Sequence, residues 1–207
     1  MSLSKKIFWT LLITIILVII SYFFFDRQLA NFIYAQHFTH RFLFLGITDL
    51  VPLFLVLSVL ILVIYLIAKF VYHQDDKILN HLGIGSIGLL VTDQLKGLFK
   101  IFFARAWPTT WIHHNPSWIS NHVYGFFWMR DNSAYASFPS GHMTVIVFVA
   151  SILWQIYPKL RWLYVIMSFA VALSLLALNF HFLGDIMGGT AFGFIAGIIT
   201  NAIIDKT

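Results

Sequence analysis

The chain alternates long apolar runs with short polar segments. A helix needs about 20 residues to cross the hydrocarbon core of a bilayer, and each of the long runs approaches or exceeds that length. They occupy residues 7–25, 50–71, 78–103, 139–157, 162–180 and 186–204. The pattern predicts an all-α fold, an integral membrane bundle of six transmembrane helices.

The segments between the runs predict how the bundle sits in the membrane. The run at 7–25 is read as a retained signal anchor with a cytoplasmic N-terminus, and six spans then return the C-terminus to the cytoplasm. Residues 26–49 are predicted to be interfacial on the outer side, and 104–138 to be a long periplasmic loop between helices 3 and 4. Basic residues predicted inside are Lys5, Lys6, Lys69, Lys77, Lys159, Arg161 and Lys206, against Arg27, Arg41, Arg105 and Arg130 outside.

Composition agrees with a membrane protein. Hydrophobic residues make up 60% of the 207 residues and charged residues only 10%. The net charge of +5 is expected of cytoplasmic loops, and without a basic cluster it does not indicate nucleic-acid binding. Cysteine is absent, which excludes disulfides and thiolate chemistry. We expect a single domain over 1–207, with the chemistry-bearing part at about 96–200.

One short motif stands out at the start of the fourth run, Pro139-Ser140-Gly141-His142. Proline followed by small residues favours a helix start, where free backbone N–H groups and the positive end of the helix dipole attract anions. Phosphate is the anion most often bound in this way. The motif is also an ordinary helix start, so it carries little weight alone.

Two further polar clusters fall at the same predicted membrane face as this motif. Lys100 and Arg105 end the third run, and His181 and Asp185 lie at the junction of the fifth and sixth. Asp93, Lys96 and Lys100 share one helical face, where a pair between Asp93 and Lys96 is the simplest interpretation. Because packing gives no reason for three polar clusters to share one level, we expect a common site.

These residue types suit phosphoryl transfer. A carboxylate at Asp185 can orient the imidazole of His181 as a nucleophile, and His142 can protonate a leaving oxygen. Lys100, Arg105 and the amides of Ser140 and Gly141 can neutralise phosphoryl oxygens. Two histidines and an aspartate could instead hold zinc, but lysine and arginine at the same place argue against a cation. No metal and no cofactor are therefore predicted.

The motifs resemble those of the type 2 phosphatidic acid phosphatase (PAP2) superfamily, membrane lipid phosphatases that share a core with vanadium haloperoxidases. The resemblance covers about 100–189. The family pattern is Lys, six residues, Arg-Pro; then Pro-Ser-Gly-His; then Ser-Arg, five residues, His, three residues, Asp. The second motif is complete here at 139–142, and the third ends correctly with His181 and Asp185.

The resemblance implies a role for each matched residue. His181 would form a phosphohistidine, Asp185 would orient it, and His142 would be the general acid. Lys100, Ser140 and Gly141 would bind phosphate together with Pro139 of the same motif. It implies a metal-independent hydrolase of the bacterial inner membrane with its site facing the periplasm. The lipid substrate could be undecaprenyl pyrophosphate, phosphatidylglycerophosphate, phosphatidic acid or a lipid A phosphate; the oligomeric state is undetermined.

Two positions depart from the family pattern. Trp107 stands at the arginine position of the first motif, where Arg105 would substitute, and Leu175 replaces the arginine of the third. A bidentate phosphate ligand is thus missing. Lys96, Arg130 or a cation of the substrate could compensate for it. The alternatives are a lipid phosphotransferase that uses the same histidine, or a lipid-binding homologue with impaired catalysis.

Overall fold

The computed structural model describes residues 1–36, 41–111 and 114–206. Within these ranges the chain is all-α, with eight α-helices and no β-strand. The helices are α1 (Leu3–Ile20), α2 (Asp26–Ala35), α3 (Arg41–Phe70), α4 (Lys77–Phe103), α5 (Trp118–Asn121), α6 (Gly141–Ile156), α7 (Arg161–Ala177) and α8 (Leu183–Ile204). The last four predicted runs coincide with α4, α6, α7 and α8 to within a few residues.

The N-terminal region differs from the prediction. A π-helical turn, Ser21–Phe25, joins α1 directly to α2, and α3 already begins at Arg41. The described part of 26–49, predicted to be interfacial, is thus largely helical, and α3 begins nine residues before the predicted second run at 50; 37–40 lies outside the described residues. The polar composition of 26–35 was misleading because Asp26 is buried, with 1% of its surface exposed, and faces the inside of the bundle.

Among the described residues, four helical stretches are long and apolar enough to cross a membrane: Leu3–Ala35, Phe42–Phe70, Pro158–Ala177 and Leu183–Ile204. The two remaining long helices are those that carry the candidate chemistry. α6 has 16 residues and so measures about 24 Å at roughly 1.5 Å per residue. α4 carries Asp93, Lys96 and Lys100 among its apolar residues. The count of six spans stays a prediction.

Close packing of α8 on α6 fixes the start of α6 against the rest of the bundle. A Cβ atom added to Gly189 or Gly193 would lie 2.4 Å from the carbonyl oxygen of Ser140 or Thr144. Only glycine permits this approach, since real Cβ atoms do not come so near to backbone. Gly189, Gly193 and Gly197 recur at every fourth residue, a spacing typical of closely packed helices, and they form this packing face.

The segment after α4 folds back along the end of that helix. Ala104 ends α4 in the left-handed conformation, and the N–H groups of Phe127 and Met129 then donate to the carbonyls of Ala104 and Phe102, both at 2.9 Å. Because the chain turns at once, Arg105 and the residues after it lie against the end of the bundle instead of extending away from it.

Candidate active site

A cavity of about 220 Å³ lies where the ends of α3, α4 and α6 meet the loop before α8. The structure brings four of the predicted site residues to its wall, and Lys96 joins them. The polar or site-forming residues of the lining are Lys96, Lys100, Gly141, His142 and His181, with Trp107, Trp111, Val51, Pro52, Leu55 and Val145 completing it. Three segments distant in sequence thus share one cavity.

His181 is held between the cavity and a buried carboxylate. Its Nδ1 atom lies 3.5 Å from Oδ2 of Asp185, and among the described residues Nδ1 makes no hydrogen bond of regular geometry. Burial lowers the pKa of His181 below its ordinary value, and the carboxylate of Asp185 opposes this only in part. The imidazole is therefore neutral at neutral pH, the form that can act as a nucleophile.

Asp185 is itself fixed by several donors. It sits in the first turn of α8, where its Oδ2 atom accepts from the N–H of Phe182 at 2.9 Å and from the hydroxyl of Ser137. Its Oδ1 atom accepts from Nη1 of Arg105 at 2.6 Å. A carboxylate bound on both oxygens cannot rotate, so it holds one orientation behind His181.

Arg105 lies between two buried carboxylates. Its Nη1 atom pairs with Asp185 and its Nη2 atom with Asp26, and all three side chains are fully inaccessible to solvent. Burial disfavours the charged guanidinium, but Asp185 and Asp26 more than offset this and raise the pKa of Arg105 above its ordinary value. Arg105 therefore stays charged, and it links Asp26 at the start of α2 to the carboxylate of Asp185 next to His181.

Asp26 closes this network from the other side. Its Oδ1 atom accepts from the hydroxyl of Ser21 at 2.6 Å and from the N–H of Gly184 at 3.0 Å, while the hydroxyl of Tyr124 lies 3.2 Å from Oδ2. Asp26 was not among the site residues predicted from the sequence. Its one local signal is an acidic residue at the end of an apolar run, which is also typical of an ordinary membrane boundary.

The start of α6 brings its first turn to the cavity. Ser140 is the N-cap residue, and its hydroxyl accepts weakly from the N–H of Met143 at 3.5 Å. Its own N–H donates to the carbonyl of Asp185 at 3.0 Å. The first amides of a helix have no partner within the helix, so those of Gly141 and His142 are the ones that this turn can offer to an anion.

Lys100 reaches the cavity from α4. Its Nζ atom donates to the backbone carbonyl of Ala136 and lies 5.4 Å from the ring centre of Trp107. The ring of Trp107 in turn lies 5.3 Å from that of His181, and its indole N–H donates to the carbonyl of Ser133 at 2.9 Å. Trp107 thus lies near both the lysine and the histidine and lines the same cavity.

The described residues contain no group of three or more histidine, cysteine or acidic side chains placed to hold a metal ion. The metal independence of the site stays a prediction.

Comparison with known proteins places this arrangement in a family. The family model described as the PAP2 superfamily matches residues 82–207. The chain belongs to the PAP2 superfamily. The matched region contains every residue that lines the cavity except the three contributed by α3. No curated protein matches the chain.

A solved PAP2 structure has the same fold. The chain is similar to a protein described as the first transmembrane PAP2 type phosphatidylglycerolphosphate phosphatase from Bacillus subtilis. The two share 19% sequence identity with a TM-score of 0.59, and the alignment covers 97% of this chain and 96% of that one. With its apolar helices and PAP2 membership, this chain is a multi-pass membrane protein.

Three residues predicted to bind phosphate do not line the cavity of this PAP2 protein. Arg105 has both terminal nitrogens engaged by carboxylates, the amide of Ser140 is used by Asp185, and Pro139 is buried beside it. The expectation that Arg105 replaces the family arginine at the phosphate is not supported, because spacing along the chain could not show that Arg105 faces inward.

A substitution at Leu175, the arginine position of the third family motif, tests whether this PAP2 site only lacks that arginine. The side chain has no exposed surface and packs in the apolar core with Met143 and Ile186. Because a charge buried there would be uncompensated, we expect Leu175→Arg to lower the unfolding temperature and abolish phosphate release. Leu175→Met, which conserves volume, should cost less than about 1.5 kcal/mol. A folded Leu175→Arg variant with a higher rate would instead show that an arginine is missing from the pocket.

Proposed function

We propose that this protein is a membrane lipid phosphatase that hydrolyses a lipid phosphomonoester or pyrophosphate through a phosphohistidine at His181. PAP2 membership supports a phosphoric ester hydrolase acting on lipids. The observation that carries the proposal is the single cavity that holds His142, His181 and Lys100 at the start of α6. Nucleophile, acid and phosphate ligand are thus within one small volume.

The proposed reaction has two steps. Nε2 of neutral His181 attacks phosphorus while the bond from phosphorus to the leaving oxygen breaks, and His142 donates a proton to that oxygen. His142 then takes a proton from water, which attacks the phosphohistidine and releases inorganic phosphate and free His181. Lys100 and the amides of Gly141 and His142 stabilise the charge on the phosphoryl oxygens. Asp185 keeps the ring of His181 oriented.

Cavity size and surroundings support a lipid substrate. The cavity of about 220 Å³ is smaller than the roughly 300–1,000 Å³ of typical ligand pockets, so it suits a headgroup. A second cavity of about 180 Å³ lies further along α3, α4 and α6 and is lined almost entirely by apolar side chains, among them Leu89, Phe148 and Ile152. A lipid with its phosphorylated headgroup in the first cavity and its apolar chain along the second would match this arrangement.

The remaining features of the proposal follow from the family and from charge distribution. We place the protein in a bacterial inner membrane as one domain over 1–207 with six spans, adding α4 and α6 to the four apolar stretches. Both termini are cytoplasmic and the cavity faces the periplasm. The similar Bacillus subtilis protein, described as a phosphatidylglycerolphosphate phosphatase, makes phosphatidylglycerophosphate one of four candidate lipids, with undecaprenyl pyrophosphate, phosphatidic acid and lipid A phosphates.

A lipid panel tests this proposal. Purified protein in detergent should release inorganic phosphate from at least one of the four candidate lipids, at the same rate with excess chelator present. Adding a phosphate-free lipid should not divert the phosphate, since its appearance on that lipid would identify a transferase. No release from any member of the panel would contradict the proposal.

The absence of arginine at the two family positions favours one second candidate, a lipid-binding homologue with impaired catalysis. Trp107 lines the cavity and Leu175 is in the core, so neither position supplies a charge. This candidate predicts saturable binding of a lipid phosphate without phosphate release in the same panel.

A further inference from the structure

We propose that Lys96 is a second phosphate ligand of the cavity and supplies the charge that arginines provide in the family pattern. The inference rests on the proposed function, because it assumes that a phosphoryl group occupies the cavity. Lys96 belongs to none of the family motifs.

The position of Lys96 is the first reason. Its side chain crosses the start of α6, where a Cβ atom added to Gly141 would lie 3.4 Å from Nζ and 3.3 Å from Cδ of Lys96. Both Lys96 and Gly141 line the cavity, and Lys100 approaches it one helical turn further along α4. The ammonium group therefore lies beside the free amides of the first turn of α6, where an anion would bind.

Charge balance is the second reason. A phosphomonoester carries a charge of about −1.5 to −2 at neutral pH, and a charge left unpaired in a confined site is costly. Among the residues that the structure describes, Lys96 and Lys100 are the lysine or arginine side chains that line the cavity. Two lysines bring two positive charges to the phosphoryl group, and although Asp93 offsets part of the charge of Lys96, Lys100 alone would bring only one.

The pairing of Lys96 is the third reason. Its Nζ atom pairs with Asp93 one turn earlier in α4, and 17% of its side-chain surface remains accessible. Asp93 is not part of the cavity lining. The carboxylate thus fixes the ammonium group of a side chain that lines the cavity.

Two other basic residues, Arg130 and Arg105, are less suited to replace the missing arginine of the family. The guanidinium of Arg130 lies 5.2 Å and 5.0 Å from the ring centres of Phe127 and Tyr135, and the residue is exposed outside the cavity. Arg105 is committed to two carboxylates. Neither can reach the phosphoryl group without abandoning these contacts.

Binding of inorganic phosphate to detergent-solubilised protein tests the inference without requiring turnover. We expect Lys96→Met to weaken phosphate binding by about tenfold to a hundredfold, with a similar fall in kcat/KM for the lipid. Lys96→Arg should retain most of both. Lys69→Met is the matched control, since Lys69 pairs with Asp75 near the opposite end of the bundle, and it should change neither.

A second measurement needs no variant. Inorganic phosphate should protect Lys96 and Lys100 of the native protein from acetylation, read by peptide mass spectrometry, while Lys69 reacts equally with and without phosphate. Phosphate affinity unchanged in a folded Lys96→Met variant, or protection of Lys100 without Lys96, would overturn the inference. If native protein binds phosphate through Lys96 but hydrolyses no lipid, the proposed function fails and the ligand assignment stands.

Discussion

Replacing His181 with alanine should lower kcat for phosphate release by at least about 10⁴-fold, the scale on which removal of a covalent nucleophile acts. The physical reason is that, of the described residues that line the cavity, only His181 combines a neutral nucleophilic nitrogen with a neighbouring carboxylate. His181 is nearly fully buried, with 5% of its surface exposed. The rate is measured as phosphate release in detergent on the best substrate of the lipid panel.

His81→Gln provides the matched control for this result. His81 lies near the start of α4, where its ring contacts the carbonyl of Lys77, and it is absent from the cavity lining. This variant should keep the native rate. Turnover of His181→Ala within tenfold of the native value, in protein with an unchanged unfolding temperature, would remove His181 as the nucleophile.

Arg105→Met should lower stability by about 3–5 kcal/mol, because it leaves the carboxylates of Asp26 and Asp185 buried without their shared cation. Asp26→Asn should lower stability by less than Arg105→Met does, since Arg105 and Asp185 still form a neutral pair. Thermal unfolding of all variants in the same detergent ranks their losses of stability. Arg130→Met, which changes an exposed residue, should stay within about 0.5 kcal/mol of the native protein.

Kinetics of the same variants separate positioning from phosphate binding. If Arg105 acts through Asp185, folded Arg105 variants lose kcat while their affinity for inorganic phosphate is unchanged. Weakened phosphate binding would instead support a direct ligand role for Arg105. An Arg105→Met variant as stable as Arg130→Met, or less damaging than Asp26→Asn, would contradict the charge argument.

Hydropathy was a good guide to most of the bundle and poor at its N-terminal end. The run that forms α8 is mostly apolar, and its limits lie near Asp185 at one end and Asp205 at the other. The segment after Phe25 is different, because Asp26 is polar but buried. Hydropathy counts such a residue as a boundary, although its hydrogen bonds to Ser21 and Gly184 hold the start of α2 against the bundle.

The candidate site shows the same limit. The motifs indicate that His142 and His181 belong to one site because both occur at a predicted helix end on the same membrane face. They do not show which side of the chain Arg105 faces, or that Leu175 belongs to the core. These facts depend on contacts with other segments, such as that of Arg105 with Asp185, 80 positions away, and no local pattern encodes them.

The most direct test of the account is to trap the phosphorylated enzyme. Protein turning over a lipid with labelled phosphate is denatured at alkaline pH, which preserves phosphohistidine, and its peptides are analysed by mass spectrometry. We expect label on His181 in the native protein and none in His181→Ala. Label on His142, or steady turnover with no labelled histidine under conditions where breakdown of the intermediate is slowed, would contradict the account.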